Sequence, residues 1–206
     1  MSIENITLFS ELHAEPSWLQ DLRKKAFDKI DQLELPTIER VKFHRWNLGD
    51  GTITESEASA NIPDFTALDS NVKLVQFGTQ TVFEQIPQSL ADQGVLFTDF
   101  HSALEEIPQL VEDYFMSSVK YDDDKLAAYH TAYFNSGAVL YIPDNVEIEE
   151  AIEGIFYQDS DSDVPFNKHI LIIAGKNSKF SYLERLESKG NGSEKATANV
   201  TVEVIA

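Results

Sequence analysis

Apolar side chains at Leu19, Leu22, Ala26, Ile30 and Leu33 recur three and four residues apart, which lines one face of a helix. They predict an amphipathic helix over residues 16–33, with Ser17 and Gln20 set as a capping box. Leu35-Pro36 ends it, because the residue before a proline is pushed out of the helical region, and residues 37–46 read as extended or irregular chain. Gly49-Asp50-Gly51 reads as a turn and residues 52–71 as loop, while residues 72–86 alternate as one or two strands around Gly78. Helical spacing returns in Phe100, Ala103, Leu104 and Ile107, with Thr98 or Asp99 as N-cap. Pro108 fits the first position of a second short helix bearing Leu110, Val111, Tyr114 and Phe115. Asp122 to Asp124 cap a third helix through Phe134, with Gly137 available just past its end.

Beyond Gly137 the period shortens. Residues 138–142 and 169–174 are short apolar runs, Val146, Ile148 and Ile152 alternate with acids, and Phe180, Tyr182 and Leu186 fall two or four apart. Ala196, Ala198, Val200, Val202 and Val204 alternate up to the last residue. No helical pattern separates these strands, an array that suits a sandwich, a barrel or a β-solenoid. The last alternation leaves an open edge unless more chain follows, so the sequence reads as part of a longer protein. The expected division is a mostly helical region with a short β element over 1–134 and a β-rich region over 135–206.

Charge narrows the function. Against 16 Lys and Arg stand 35 Asp and Glu, a formal charge of −19 that repels phosphate backbones and anionic headgroups, so neither nucleic acid nor membrane is an expected partner. The first residues lack the basic and apolar segments of a secretory signal, and no apolar run is long enough to span a bilayer, which points to the cytoplasm. With no cysteine, the 206 residues offer no disulfide, thiolate metal site or cysteinyl cluster ligand.

Candidate chemistry is sparse. The carboxylates of Asp159, Asp161 and Asp163 alternate like calcium ligands, but Val164 and Ile170 occupy the glycine and glutamate positions of an EF-hand loop, so the stretch reads as a solvated, mobile acidic loop. His13, His44, His101, His130 and His169 lack zinc spacing and act in a site only if the fold brings them together. Neither Gly49-Asp50-Gly51 nor Gly190-Asn191-Gly192 makes a phosphate loop. Lys42, His44 and Arg45 form a basic island beside Trp46, expected to pair within the chain. No residue is assigned a catalytic, cofactor-binding or metal-binding role.

Four segments, in order, carry a resemblance. Glu15-Pro16-Ser17-Trp18-Leu19 continues through Arg23, Ala26 and Phe27 to Leu35-Pro36-Thr37-Ile38-Glu39-Arg40; then come Gly94-Val95-Leu96-Phe97-Thr98-Asp99, the run from Asn135-Ser136-Gly137 to Asp144-Asn145-Val146, and His169-Ile170-Leu171-Ile172-Ile173-Ala174 with Asn177-Ser178. Together they resemble the N-terminal part of the SufB/SufD family of iron–sulfur cluster assembly scaffold proteins, and the early Leu-Pro-Thr favours the SufD branch. The resemblance implies an α+β chain in which a helical region leads into the first coils of a right-handed parallel β-helix, truncated here. It implies a non-catalytic scaffold subunit of a SufBCD complex, with a SufB-like homologue and the SufC ATPase as partners and a homodimer as a further arrangement. The complex would assemble the cluster, with no cofactor in this stretch. Trp18, Phe27, Phe100, Tyr114 and Phe115 then pack the helical part on the first coils or meet a neighbouring subunit. The competing readings are a plain interaction module and a solenoid acting on acidic polysaccharide. The second would need converging acids, whereas Glu147, Glu149, Glu184 and Glu203 read as scattered outward positions.

Overall fold

The computed structural model describes residues 2–45, 51–57, 70–192 and 197–206. It opens with α1 (Ile3–Leu12) and α2 (Ser17–Ile30), then a 3-10 turn at Phe43–Arg45. β1 (Val72–Phe77), β2 (Gln80–Gln85), the short α3 (Gln88–Ala91) and β3 (Leu96–Asp99) follow. Next come α4 (Phe100–Glu106), α5 (Pro108–Tyr114) and α6 (Lys125–Tyr133), and then β4 (Ser136–Ile142), β5 (Glu147–Asp159), β6 (Phe166–Ala174), β7 (Lys179–Lys189) and β8 (Ala198–Ile205).

Local chemistry sets the helix ends. Asp99, not Thr98, caps α4 by accepting from the His101 and Ser102 amides, Asp124 caps α6 through the Ala127 amide, and Pro108 opens α5. The capping box expected at Ser17 does not form, because Pro16 is the N-cap of α2; the Gln20 amide instead donates 2.7 Å to the Glu15 carbonyl. Helix α1 was not anticipated, since Ile6 and Phe9 alone give a short stripe, and Ser2 caps it through the Glu4 amide. Gly137 lies within β4 and is not a helix cap. A Cβ there would stand 2.0 Å from the His169 carbonyl oxygen, so only glycine lets β4 and β6 approach. The expected turn at Gly49-Asp50-Gly51 falls largely outside the described residues, as does most of the loop over 52–71.

The architecture is α+β, with two four-stranded mixed sheets of order β2-β1-β5-β7 and β3-β4-β6-β8. The pairs β1–β2 and β3–β4 are antiparallel and the others parallel. From β4 to β8 successive strands alternate between the sheets, and partners in the second sheet stand 32 residues apart, as in Ser136↔Lys168 and Phe166↔Ala198. Val72, Leu74, Ile152 and Phe156 of the first sheet meet Phe97, Leu140, Ile170 and Ile172 of the second in one apolar cluster. The other face of the second sheet, with Val139, Leu171 and Ile173, is covered by Leu19, Phe100, Phe115 and Phe134. Aromatic side chains of the helical layer are therefore used within the chain: the Phe100 ring centroid is 5.1 Å from that of Phe115 and 5.0 Å from that of Phe134. Among the described residues no helix is long and apolar enough to cross a membrane.

Candidate functional site

Helix α2 presents Leu19, Arg23, Ala26 and Ile30 on its buried face, so the fold draws a guanidinium into the core. Its counterion is Glu15, just ahead of the helix: Arg23 Nε donates 2.8 Å to Oε2 and Nη2 donates 2.7 Å to Oε1. Ser10 Oγ donates to the same carboxylate, and Arg23 Nη1 donates to the Ala132 and Phe134 carbonyls at the end of α6. Burial alone would raise the Glu15 carboxyl, but the Arg23 guanidinium and the His101 contact outweigh it and hold it far below the usual carboxylate range. His101 Nε2 stands 3.1 Å from Glu15 Oε1, and its ring stacks on His13 with centroids 4.2 Å apart. His13 in turn lies 3.1 Å from Glu55 Oε1; burial, then the neighbouring His101, lowers its pKa. Two histidines far apart in sequence are thus brought together by the end of α1 and the start of α4.

They stand at a polar cleft of about 250 Å³, lined also by Gln76, Thr79, Gln80, Thr81, Asp99, Asn135 and Ser136. Many of these polar groups satisfy one another. Gln76 Nε2 donates to Gly137 O and Thr81 Oγ1, Asn135 Nδ2 donates to Thr54 O and Pro165 O, and Ser56 exchanges hydrogen bonds with Thr79. Among the described residues no group of three or more His, Asp or Glu is placed to hold a metal ion.

Beneath the cleft lies Lys168, fully buried on β6. Its Nζ is 2.8 Å from Gln76 Oε1, Gly78 O and Ser136 Oγ, three neutral oxygens on β1, the β1–β2 turn and β4. The ammonium also lies 4.8 Å from the Phe166 ring centroid. Desolvation pushes its pKa down to about 7. A neutral Nζ still fits, with two N–H groups for the carbonyls and a lone pair for the Ser136 hydroxyl. Because the folded state binds this proton less tightly than the unfolded chain, stability rises as pH climbs from about 7 toward 10. Relative to Lys168→Met, the wild-type protein should gain on the order of 2 kcal/mol between pH 7 and pH 9 in urea unfolding; parallel pH profiles would contradict a depressed lysine.

A second buried line joins the sheet to the helices. His130 Nε2 is 3.0 Å from His169 Nδ1, and His169 Nε2 is 3.2 Å from Glu203 Oε2. Glu203 accepts from the amides of Met116, Ser118 and Val119 at 2.6–3.1 Å. Burial would raise this carboxyl, but His169 and the backbone donors hold it low, while desolvation lowers both histidines. The outward reading of Glu203 is therefore corrected: it is 1% exposed, because the face that alternation assigns to it is covered by helices. Glu147 and Glu184 are paired at the surface and within the sheet, with Lys179 and the Tyr182 hydroxyl respectively.

The remaining motifs stay apart from this region. Asp161 accepts from the backbone amide and Nδ2 of Asn191, and Ser160 Oγ donates to Lys189 O, so the acidic stretch is tied to the end of β7. Lys42 and Arg45 are exposed, and Trp46 falls outside the described residues. Sequence reasoning missed Lys168, although a lysine directly before an apolar run was a visible signal. It also left Arg23 as a motif residue, although its place on the stripe of Leu19 and Ala26 marks it as buried.

Fold and site together define an α+β protein whose helical layer is locked onto one of two parallel-rich sheets by buried ionic and polar groups. Residues 55–153 match the SufBD protein N-terminal region. The chain is 34% identical to the iron–sulfur cluster assembly protein SufD of Bacillus subtilis, over 98% of its own length and 48% of that protein's. It is 26% identical to an iron–sulfur cluster assembly SufBD family protein of Staphylococcus epidermidis, over 88% and 43% of the two chains. The chain thus carries, over residues 55–153, the N-terminal region of SufBD proteins, and its similarity to a SufD extends over nearly its whole length. It spans about half the length of these curated relatives.

Proposed function

We propose that the full-length protein is a cytoplasmic scaffold subunit of a Suf-type iron–sulfur cluster assembly complex, working with a SufB-like homologue and the SufC ATPase. In this reading the present stretch is non-catalytic and holds no cofactor, and the cluster is the product built by the whole complex. The observation that carries it is the 34% identity to a SufD over nearly the entire chain. That Gln76 and Asn135 of the cleft are already hydrogen-bonded within the protein supports a structural role for them.

The strands after α6 are, in the same proposal, the first coils of a right-handed parallel β-helix. Alternation of successive strands between two sheets supports this, as does the 32-residue step from coil to coil. The step recurs in Asn135, Asn167 and Asn199, where Asn135 Oδ1 accepts from the Asn167 amide, and in Asn145 and Asn177, both with positive φ.

Depleting the full-length protein in its own cells should lower the activity of a [4Fe–4S] dehydratase without lowering its polypeptide level, with activity returning when the extract is treated with iron and sulfide. Unchanged activity would overturn the proposal.

A further inference from the structure

Among the described residues, away from the open edge strands β7 and β8, the exposed large apolar side chains are Ile38 and, adjacent to each other on α1, Leu8 and Leu12. Leu8 is 63% and Leu12 73% exposed, one helical turn apart, while Ile6 and Phe9 of the same helix are buried in the core it shares with α2 and α6. Beside the two leucines runs a groove of about 440 Å³, walled by Asn5, Leu8 and Leu12 on one side and by Ile53, Thr54 and Glu55 on the other, with Phe9 also lining it. Ile53 is itself buried, so the groove has a firm apolar base. Two leucines spaced i and i+4 next to such a base make the geometry that receives the apolar ridge of another helix.

The charge on the walls selects the occupant. Residues 2–12 carry Glu4 and Glu11, residues 51–57 carry Glu55 and Glu57, and neither stretch contains a Lys or Arg. All four carboxylates are on exposed residues. The first Lys or Arg of the sequence, Arg23, is consumed in the core by Glu15. A second copy of the same face would bring like charges together, and anionic lipid headgroups would be repelled. A cationic partner is steered in and held at the rim, while the leucines and Ile53 supply the desolvated centre.

We propose that this groove is a docking site for an amphipathic helix of a partner protein, one whose apolar ridge is flanked by Lys and Arg. The site lies on α1 and the irregular segment 51–57, adjoins the polar cleft only at Glu55, and does not depend on the assembly role proposed above.

The test uses the full-length protein and a fluorescent synthetic helix with Leu at i, i+3, i+4 and i+7 and Lys on the flanking positions. Saturable binding is expected, weakening at high salt. Replacing the peptide's Lys by Glu should weaken it about tenfold or more, and so should the protein variant Leu8→Asp/Leu12→Asp. The charge-reversal variant Glu4→Lys/Glu11→Lys/Glu57→Lys, which leaves the apolar residues untouched, should lose the Lys peptide and gain the Glu peptide. Failure of the Lys peptide to bind the folded protein would overturn the proposal. Equal binding of both peptides, or binding indifferent to either variant, would do the same, as would sedimentation showing a dimer abolished by the leucine substitutions.

Discussion

Replacing Arg23 with alanine should destabilise the protein by about 3–5 kcal/mol in urea unfolding, because it strands the buried Glu15 carboxylate and removes donors from two carbonyls. Coulomb attraction alone does not make the pair valuable, since burying two ions costs nearly what their attraction returns. The loss comes from breaking one side. The double variant Glu15→Gln/Arg23→Ala should therefore recover part of it, an outcome that a merely packed arginine would not give. Acid reports the same pair. Glu15 titrates low in the folded state, so its contribution is complete above the ordinary glutamate pKa and lost as pH falls through the folded value. In the Arg23→Ala protein the unpaired carboxyl takes up a proton readily, so the gap between the two proteins should narrow below about pH 4.5. A gap that stays constant with pH would show that the carboxylate is not the stranded group.

Glu203→Ala should cost on the order of 3 kcal/mol, since three backbone amides and His169 lose one acceptor together. The expected signature is local. Amides of Met116, Ser118 and Val119 should exchange with solvent far faster, while the core of β4 and β6 remains protected. Uniform loss of protection would mean that Glu203 supports the whole sheet and not the segment between α5 and α6.

Helix spacing and caps were readable because they are local: Asp99, Pro108 and Asp124 act on amides or turns within a few residues. The strands after Gly137 were readable as strands for the same reason. What periodicity could not supply was the cover over each face. Val200, Val202 and Val204 continue the column of Lys168, Ile170 and Ile172, and Glu203 continues the column of Leu171, as alternation says. Yet Val202 and Val204 are exposed at an edge, while Glu203 is enclosed by the helical layer. The histidine contacts were hidden because His13 and His101, or His130 and His169, meet only through tertiary packing. One signal was present and unused: the 32-residue recurrence of Asn135, Asn167 and Asn199, which marks successive strands of one sheet.

The central claim is membership of an assembly complex, and co-purification from the protein's own cells tests it most directly. Full-length protein, tagged and isolated with and without ATP, should carry a SufB-like homologue and the SufC ATPase in a stable complex. Its recovery alone under every nucleotide condition would contradict the account.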